Sequence, residues 1–177
     1  MKESVYLIGG RAVGKSSIGV KLAQKLGYEF LDTDILITDR CGCSVAEIVA
    51  REGWPAFRDY EQQALQQLLG QKSCVVATGG GAILHRELWL ELKKTGTVIW
   101  LQADPSILCM RIAGDQYSAG QRPSLTGKDV CQEIEAVLAE RNPLYQETAD
   151  SIIDSGRMTV DEAVLEIERI CTATEKE

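Results

Sequence analysis

The chain has 177 residues, a length that favours one compact domain with a buried core over several domains. Hydrophobic residues make up 45% of the sequence and charged residues 25%, which excludes a disordered or fibrous protein. Nineteen Lys and Arg against 26 Asp and Glu give a net charge of −7, so a protein that binds nucleic acid through a broad basic surface is also excluded.

Hydropathy and cysteine usage both favour a cytoplasmic protein. No apolar run reaches the ~20 residues of a membrane helix, and the first residues lack the apolar core of a signal peptide, so we expect no membrane association. Six cysteines are present without a CxxC pair, and the spacing of Cys41 and Cys43 does not suit a zinc half-site. Several cysteines lie in apolar runs, so we expect them to be small buried side chains kept reduced.

Short apolar runs alternate along the chain with longer segments of helical period, the pattern of an α/β fold with a parallel sheet flanked by helices. Ser44 with Glu47 fits a capping box, and Gly27 follows the first helix as a stop signal. The predicted strands are residues 5–8, 29–32, 74–77, 97–101 and 151–154. The predicted helices are residues 15–26, 45–52, 56–69, 86–94, 105–113, 129–149 and 160–171.

Residues 114–127, GDQYSAGQRPSLTG, interrupt this alternation because they are polar, rich in turn residues and without apolar period. They predict a long mobile loop. Loops of more than about 12 residues inside compact domains are often functional lids, although a plain surface loop is the alternative. We therefore expect a single domain of residues 1–177 with a lid at about 114–127.

Residues 9–16, GGRAVGKS, match the phosphate-loop pattern GxxxxGK[ST] and stand between the first predicted strand and the first predicted helix, as that motif requires. The glycines let backbone N–H groups surround a phosphate, and the helix N-terminus adds its dipole. Lys15 can reach the outer phosphates, and Ser16 can hold a magnesium ion. The motif predicts a nucleotide site.

Two acidic residues, Asp32 and Asp34, follow the second predicted strand in the sequence DTD. If this segment closes the strand, alternation places both carboxylates on the same side. One carboxylate could serve Mg²⁺ through water, and the other could accept a hydrogen bond or a proton from a substrate hydroxyl. A solvated acidic turn is the alternative.

Glycines and arginines supply the remaining candidate groups. Residues 79–81, three glycines after the third strand, bring bare backbone close to the sheet edge, unless they form only a flexible turn. Arg58 in FRDYE and Arg141 in ERNPLY each offer a planar fork suited to a carboxylate or phosphate, although each alone could be a surface residue. Arg122 lies in the expected lid, where it could swing over a phosphate during transfer.

Taken together, the segments GGRAVGKSS, DTD, FRDYE, ATGGG, RPSLTG and ERNPLY, in this order, resemble the shikimate kinase family over nearly the whole chain. The resemblance implies a three-layer α/β/α P-loop kinase of the nucleoside-monophosphate-kinase type, with a five-stranded parallel sheet and a mobile lid. It implies transfer of the γ-phosphoryl of ATP to the 3-hydroxyl of shikimate, in the pathway to chorismate and the aromatic amino acids. Mg²⁺ is the implied cofactor, and we expect a monomer without a nucleic-acid partner.

The same resemblance implies roles for individual residues. Lys15, Asp34 and Arg122 would be catalytic, and Ser16 with Asp32 would hold Mg²⁺. The residues implied to bind shikimate are Asp34, Arg58, Gly80 and Arg141. The residues implied to bind ATP are Ala12, Val13, Gly14, Lys15, Ser16, Ser17, Arg111 and Arg122, with Arg111 stacking on adenine.

The chain departs from the family pattern at two places, and from the pattern of most other P-loop proteins at a third. Ala12 stands where a glycine is common, so if this position needs a positive φ, alanine costs stability or reshapes the loop. The lid segment has RPSL where RPLL is frequent, which we expect to affect packing rather than chemistry. The third strand ends in ATGGG instead of a Walker-type Asp, which matches this family but differs from most motor and GTPase P-loops, so magnesium would depend on Asp32.

Two other functions remain open at this point. A kinase of the same fold could use another hydroxylated acid, such as gluconate, because a pair of arginines fits any carboxylate. A GTP-operated switch is suggested by a DxxG match at residues 39–42. The only asparagine of the chain is Asn142, so the NKxD motif that reads guanine is absent, which argues against the switch.

Overall fold

A computed structural model of the protein describes residues 3–114 and 129–174. Within these ranges five parallel strands form one sheet in the order β2-β3-β1-β4-β5, with β1 in the centre. Such an order requires crossover connections, and helices supply them. The strands are β1 Ser4–Ile8, β2 Glu29–Asp32, β3 Cys74–Ala77, β4 Gly96–Gln102 and β5 Ser151–Asp154.

Helices connect the strands and cover both faces of the sheet, which confirms the predicted α/β fold with a five-stranded parallel sheet. A short 3₁₀ helix at Ala82–Leu84 follows the three glycines. The α-helices of the described chain are α1 Lys15–Leu26, α2 Thr33–Cys41, α3 Val45–Gln67, α4 Arg86–Thr95, α5 Pro105–Gly114, α6 Val130–Thr148 and α7 Val160–Thr174.

Helix α2 was not predicted, and its presence corrects the expected position of Asp34. Asp32 ends β2 and is the N-cap of α2, because its Oδ1 accepts a hydrogen bond from the backbone N–H of Asp34 at 3.0 Å. Aspartate is among the preferred N-cap residues since its short side chain reaches an otherwise unpaired N–H group. Asp34 therefore lies in the first turn of a helix, not on a strand.

Helix α3 spans the two helices predicted at residues 45–52 and 56–69, with a kink where Gly53 takes a φ of 82°. Its start is the predicted capping box: Ser44 N–H donates to Glu47 Oε2 at 2.7 Å, and Glu47 N–H donates to Ser44 Oγ at 3.2 Å. The second half of α3 carries Arg58 toward the sheet.

The sheet is buried on both faces, because successive residues of its central strands belong to two different apolar clusters. Leu7 and Ile99 face α1 and α7, whereas Tyr6 and Trp100 face the opposite layer. A smaller cluster around Ile37, Ile48 and Phe57 joins α2 to α3. With its faces covered, a parallel sheet leaves the carboxyl ends of its strands as the place for a ligand.

The cysteines differ in part from the expectation. Cys74 is a free, buried thiol in β3, as expected, but Cys109 of α5 and Cys131 of α6 form a disulfide with their Cα atoms 5.4 Å apart. This pair could not be predicted, because the two residues are 22 positions apart and share no recognisable spacing motif. No helix of the described chain is long and apolar enough to span a membrane.

Candidate active site

The phosphate loop connects β1 to α1 and turns sharply at two glycines. Gly9 has a φ of 137°, and a Cβ there would collide with the backbone carbonyl of Leu101. Gly14, at a φ of 91°, is the N-cap of α1. Lys15 Nζ donates to the carbonyls of Gly9 at 2.9 Å and Gly10 at 2.5 Å, so the ammonium lies across the loop. A positive side chain and a helix N-terminus thus meet at one point, which suits an anion.

Ala12 lies in the left-handed region at a φ of 60°, which confirms that this position needs a positive φ. For an L-residue with a Cβ this conformation costs roughly 1–2 kcal/mol, whereas glycine adopts it freely. The departure from the family pattern at residue 12 is therefore a small local strain in an otherwise regular phosphate loop.

We predict that Ala12→Gly raises the free energy of unfolding by about 0.5–1 kcal/mol, because relief of the strain exceeds the extra entropy of glycine in the unfolded chain. Urea denaturation measures the change, and the KM for ATP should stay within about twofold. Ala136→Gly, at an exposed position of α6, is the matched control and should lose about 1 kcal/mol. A stability loss in both variants would contradict the strain at Ala12.

A hydroxyl and a carboxylate lie side by side next to the loop. Ser16 Oγ donates to Asp32 Oδ2 at 2.8 Å, while Asp32 Oδ1 caps α2. These are hard oxygen donors of the kind Mg²⁺ prefers, and the pair fits an ion that keeps most of its ligands from water and substrate phosphates. The described residues contain no cluster of three or more His, Cys, Asp or Glu side chains suited to a metal.

Two open cavities of about 390 and 440 Å³ adjoin the phosphate loop, one on each side. The first lies toward α5 and the segment after β5, and the second lies toward α2. The sequence-predicted residues in the first cavity are Ala12, Val13, Gly14, Ser17 and Arg111. Those in the second are Ala12, Gly14, Lys15, Ser16, Ser17, Asp32 and Asp34.

Arg111 connects two segments that line the first cavity. Its Nη1 donates to the carbonyl of Ala12 at 3.1 Å, and its Nη2 donates to the carbonyl of Ser155 at 2.8 Å. Ser155, Met158 and Val160 also line this cavity and were not predicted from the sequence. Their position just after β5, at the carboxyl end of a parallel strand, was the signal that could have identified them.

A second group of predicted residues converges around the three glycines. A Cβ on Gly81 would overlap the guanidinium of Arg58, and a Cβ on Gly80 would lie 3.7 Å from Nη1 of Arg141. Bare backbone is therefore required for Arg58 to occupy its place. The glycines are also tied to the DTD segment, because Gly79 N–H donates to Thr33 Oγ1 at 2.9 Å.

Beneath this group lies a buried carboxylate that the sequence did not single out. Glu61, on α3 one turn after Arg58, is 2% exposed and accepts a hydrogen bond from Arg58 Nη1. Burial raises the pKa of Glu61, and the charges of Arg58 and Arg141 act against that shift. The i, i+3 spacing within FRDYE was the available signal.

His85 is the next neighbour of that carboxylate. Its Nε2 lies 4.0 Å from Glu61 Oε2, and this nitrogen is buried without a hydrogen-bond partner. Burial lowers the pKa of His85, and so does the nearby charge of Arg58, while Asp59 acts in the opposite direction. His85 is therefore held neutral in the folded protein at neutral pH.

Because the pKa of His85 is lower in the folded protein than in the unfolded chain, the unfolded chain binds the proton more readily. We predict that the folded protein has its full stability above pH 6.5, the ordinary pKa of histidine, where His85 is neutral in both states. The free energy of unfolding then falls as the pH drops toward the lowered pKa, because the unfolded chain takes up the proton first. Urea midpoints from pH 7.5 to 5 should therefore fall more steeply in the wild type than in His85→Asn. The raised pKa of Glu61 works in the opposite sense but is common to both proteins. Parallel profiles would contradict the prediction.

Arg122 and nearly all of the expected lid, residues 115–127, lie outside the described residues. The other predicted site residues fall into the two groups above: Asp34 with the phosphate-loop residues, and Arg58, Gly80 and Arg141 around the glycines.

A phosphate loop after the central strand, a hydroxyl and a carboxylate beside it, and two arginines near the end of β3 form the arrangement of a P-loop phosphotransferase. The family model for shikimate kinase matches residues 11–172. The chain is 48% identical to shikimate kinase 2 of Yersinia enterocolitica over 155 residues, 88% of each protein. It is 46% identical to shikimate kinase of Nitratidesulfovibrio vulgaris, covering 84% of this chain and 85% of that protein. The chain therefore belongs to the shikimate kinase family.

Solved structures agree with this assignment. Shikimate kinase from Acinetobacter baumannii in complex with shikimate matches with a TM-score of 0.90 and 31% identity, over 99% of this chain and 96% of that one. A gluconokinase from Sinorhizobium meliloti matches with a TM-score of 0.56 at 17% identity, which shows a common fold alone. The family membership excludes the GTP-operated switch.

Proposed function

We propose that this protein transfers the γ-phosphoryl of ATP to the 3-hydroxyl of shikimate, giving shikimate 3-phosphate and ADP in the biosynthesis of chorismate and aromatic amino acids. The observation that carries the proposal is the convergence of Arg58 and Arg141 on the Gly80–Gly81 backbone, next to a phosphate loop. Two guanidinium groups at one place suit a carboxylate, which shikimate has. The Acinetobacter baumannii relative binds shikimate, which supports the same acceptor here.

ATP would lie along the first cavity, with its phosphates on residues 12–17 and its base near Arg111. The helix N-terminus and the ammonium of Lys15 would stabilise negative charge on the phosphates. Ser16 and Asp32 would hold Mg²⁺. When bound, the ion would neutralise part of the negative charge of the ATP phosphates.

Shikimate would be oriented by Arg58 and Arg141 at its carboxylate and by the backbone of Gly80. Asp34, which shares the second cavity with Lys15, would accept the proton of the 3-hydroxyl. The bond from that oxygen to the γ-phosphorus forms as the bond to the β,γ-bridging oxygen breaks, and ADP leaves with the electron pair. Lys15 and Arg122 would stabilise the charge on the phosphoryl group in transit.

In this proposal residues 1–177 act as one domain, a cytoplasmic monomer, with a lid at about residues 114–127. The net charge of −7 is compatible with such an enzyme, because its anionic substrates would bind to a few cationic side chains within the site rather than to a broad basic surface. Nucleic acids and membranes are not partners.

A coupled ADP-release assay with ATP, Mg²⁺ and shikimate tests the proposal, with gluconate as the competing acceptor and GTP as the competing donor. We expect ADP release to require shikimate and Mg²⁺, and mass spectrometry to find shikimate 3-phosphate. A higher kcat/KM with gluconate, or ADP release without any acceptor, would overturn the assignment of the acceptor.

A further inference from the structure

A buried hydrogen bond joins α6 to the glycines that follow β3. Tyr145 Oη donates to the carbonyl oxygen of Gly80 at 2.7 Å, and Tyr145 is only 1% exposed. Arg141 lies one helical turn before Tyr145, so both side chains leave α6 on the same face. One face of α6 therefore carries both Arg141, which lies at the acid site, and Tyr145, which holds the backbone of Gly80 in that site.

Packing fixes the position of the Tyr145 hydroxyl, and burial keeps it protonated. The ring of Tyr145 stacks on that of Trp100, with centroids 5.8 Å apart and planes 29° from parallel. Burial raises the pKa of Tyr145 to about 12, although Arg141 acts against the shift. The hydroxyl is therefore protonated, and able to donate, at neutral pH.

The glycines need such support. Three consecutive glycines have more backbone freedom than any other tripeptide. If they became ordered only when a ligand binds, the loss of backbone entropy would weaken binding. In a planar trans peptide the carbonyl of Gly80 and the N–H of Gly81 point in opposite directions, so fixing one fixes the other. Thr33 holds the N–H of Gly79 at 2.9 Å, and the carbonyls of Gly79 and Gly81 accept from N–H groups of the short 3₁₀ helix at 3.0 Å. Tyr145 is therefore the anchor that holds the carbonyl between them.

We infer that Tyr145 is a positioning residue: it holds the Gly80–Gly81 peptide in the orientation that meets the acid substrate, in register with Arg141 on the same helix. Tyr145 itself does not contact the reacting atoms. Its contribution is preorganisation, since the enzyme with the bond in place has less backbone to order when shikimate arrives. The inference rests on the proposed phosphorylation of shikimate.

The test compares Tyr145→Phe with Tyr6→Phe, because each removes one hydroxyl from a fully buried tyrosine of the same apolar cluster. Tyr6 lies against Gly96 and Trp89, at the other end of the sheet. In Tyr145→Phe we expect the KM for shikimate to rise about tenfold, with kcat and the KM for ATP within about twofold. Hydrogen–deuterium exchange of residues 79–81 should be faster than in Tyr6→Phe.

Equal shikimate KM values in the two variants, or a rise in the KM for both substrates of Tyr145→Phe, would overturn the inference. So would amides at residues 79–81 that exchange at the rate of an unstructured peptide in the free wild-type enzyme, a measurement that needs no variant to fold. Failure of the wild type to phosphorylate shikimate would instead overturn the proposed function, so the two failures are distinguishable.

Discussion

Replacing Asp34 by asparagine is expected to lower kcat by about 10²- to 10⁴-fold, with a much smaller change in the KM for shikimate. Asparagine keeps the shape of the side chain but cannot take the proton of the acceptor hydroxyl. The local fold should survive, because the backbone N–H of Asp34, not its side chain, caps α2 through Asp32. Steady-state kinetics with each substrate varied in turn measures both quantities.

Asp39→Asn is the matched control, since Asp39 is an exposed acid about one and a half turns later on the same helix. It should leave kcat within about twofold of the wild type, as for most surface substitutions. If Asp34→Asn kept kcat within threefold of that control, Asp34 would not be the group that receives the proton. A large loss of shikimate affinity with kcat unchanged would make it a binding residue only.

The sequence predicted those parts of the site whose geometry is local. The phosphate loop is a strand, a glycine-rich turn and a helix within about 20 consecutive residues, so its motif already contains its structure. The strands at residues 29–32, 74–77 and 151–154 were predicted with their observed bounds, because short apolar runs flanked by turn residues are also local signals.

The parts that could not be predicted depend on contacts between distant residues. Tyr145 is 65 positions from Gly80, and Arg111 is 99 positions from Ala12, so only the folded sheet brings them together. The strand interpretation of the DTD segment was wrong for a different reason. Asp is favourable both after a strand and as a helix N-cap, and the choice between the two depends on the packing of α2 against α3.

The pairing of Arg58 with Glu61 shows why the acid site needs more than its two arginines. Burying the charged carboxylate of Glu61, which is 2% exposed, costs free energy when it has no partner. Arg58 on the same helix face offsets that cost through its hydrogen bond and charge. In return, the buried carboxylate fixes the guanidinium against Gly81. Removing either partner therefore changes both the stability of the protein and the binding of the substrate.

Arg58→Ala is accordingly expected to raise the KM for shikimate by about 10²-fold while the KM for ATP changes less than threefold, because a charge-assisted interaction with the acid is lost. Isothermal titration calorimetry should show the corresponding loss of shikimate affinity. Arg51→Ala, which removes an exposed arginine from the first half of α3, is the control and should bind shikimate as the wild type does. Unchanged shikimate binding in Arg58→Ala would show that this guanidinium does not hold the acid.

The same variant should also be less stable, by roughly 3–5 kcal/mol if Glu61 stays charged, because a buried carboxylate loses its partner. Adding Glu61→Gln removes that charge, so the double variant should regain most of the unfolding free energy while its KM for shikimate stays high. Stability and binding then separate: if the KM recovered together with the stability, the effect of Arg58 on shikimate would come through the fold of α3 rather than through contact with the acid.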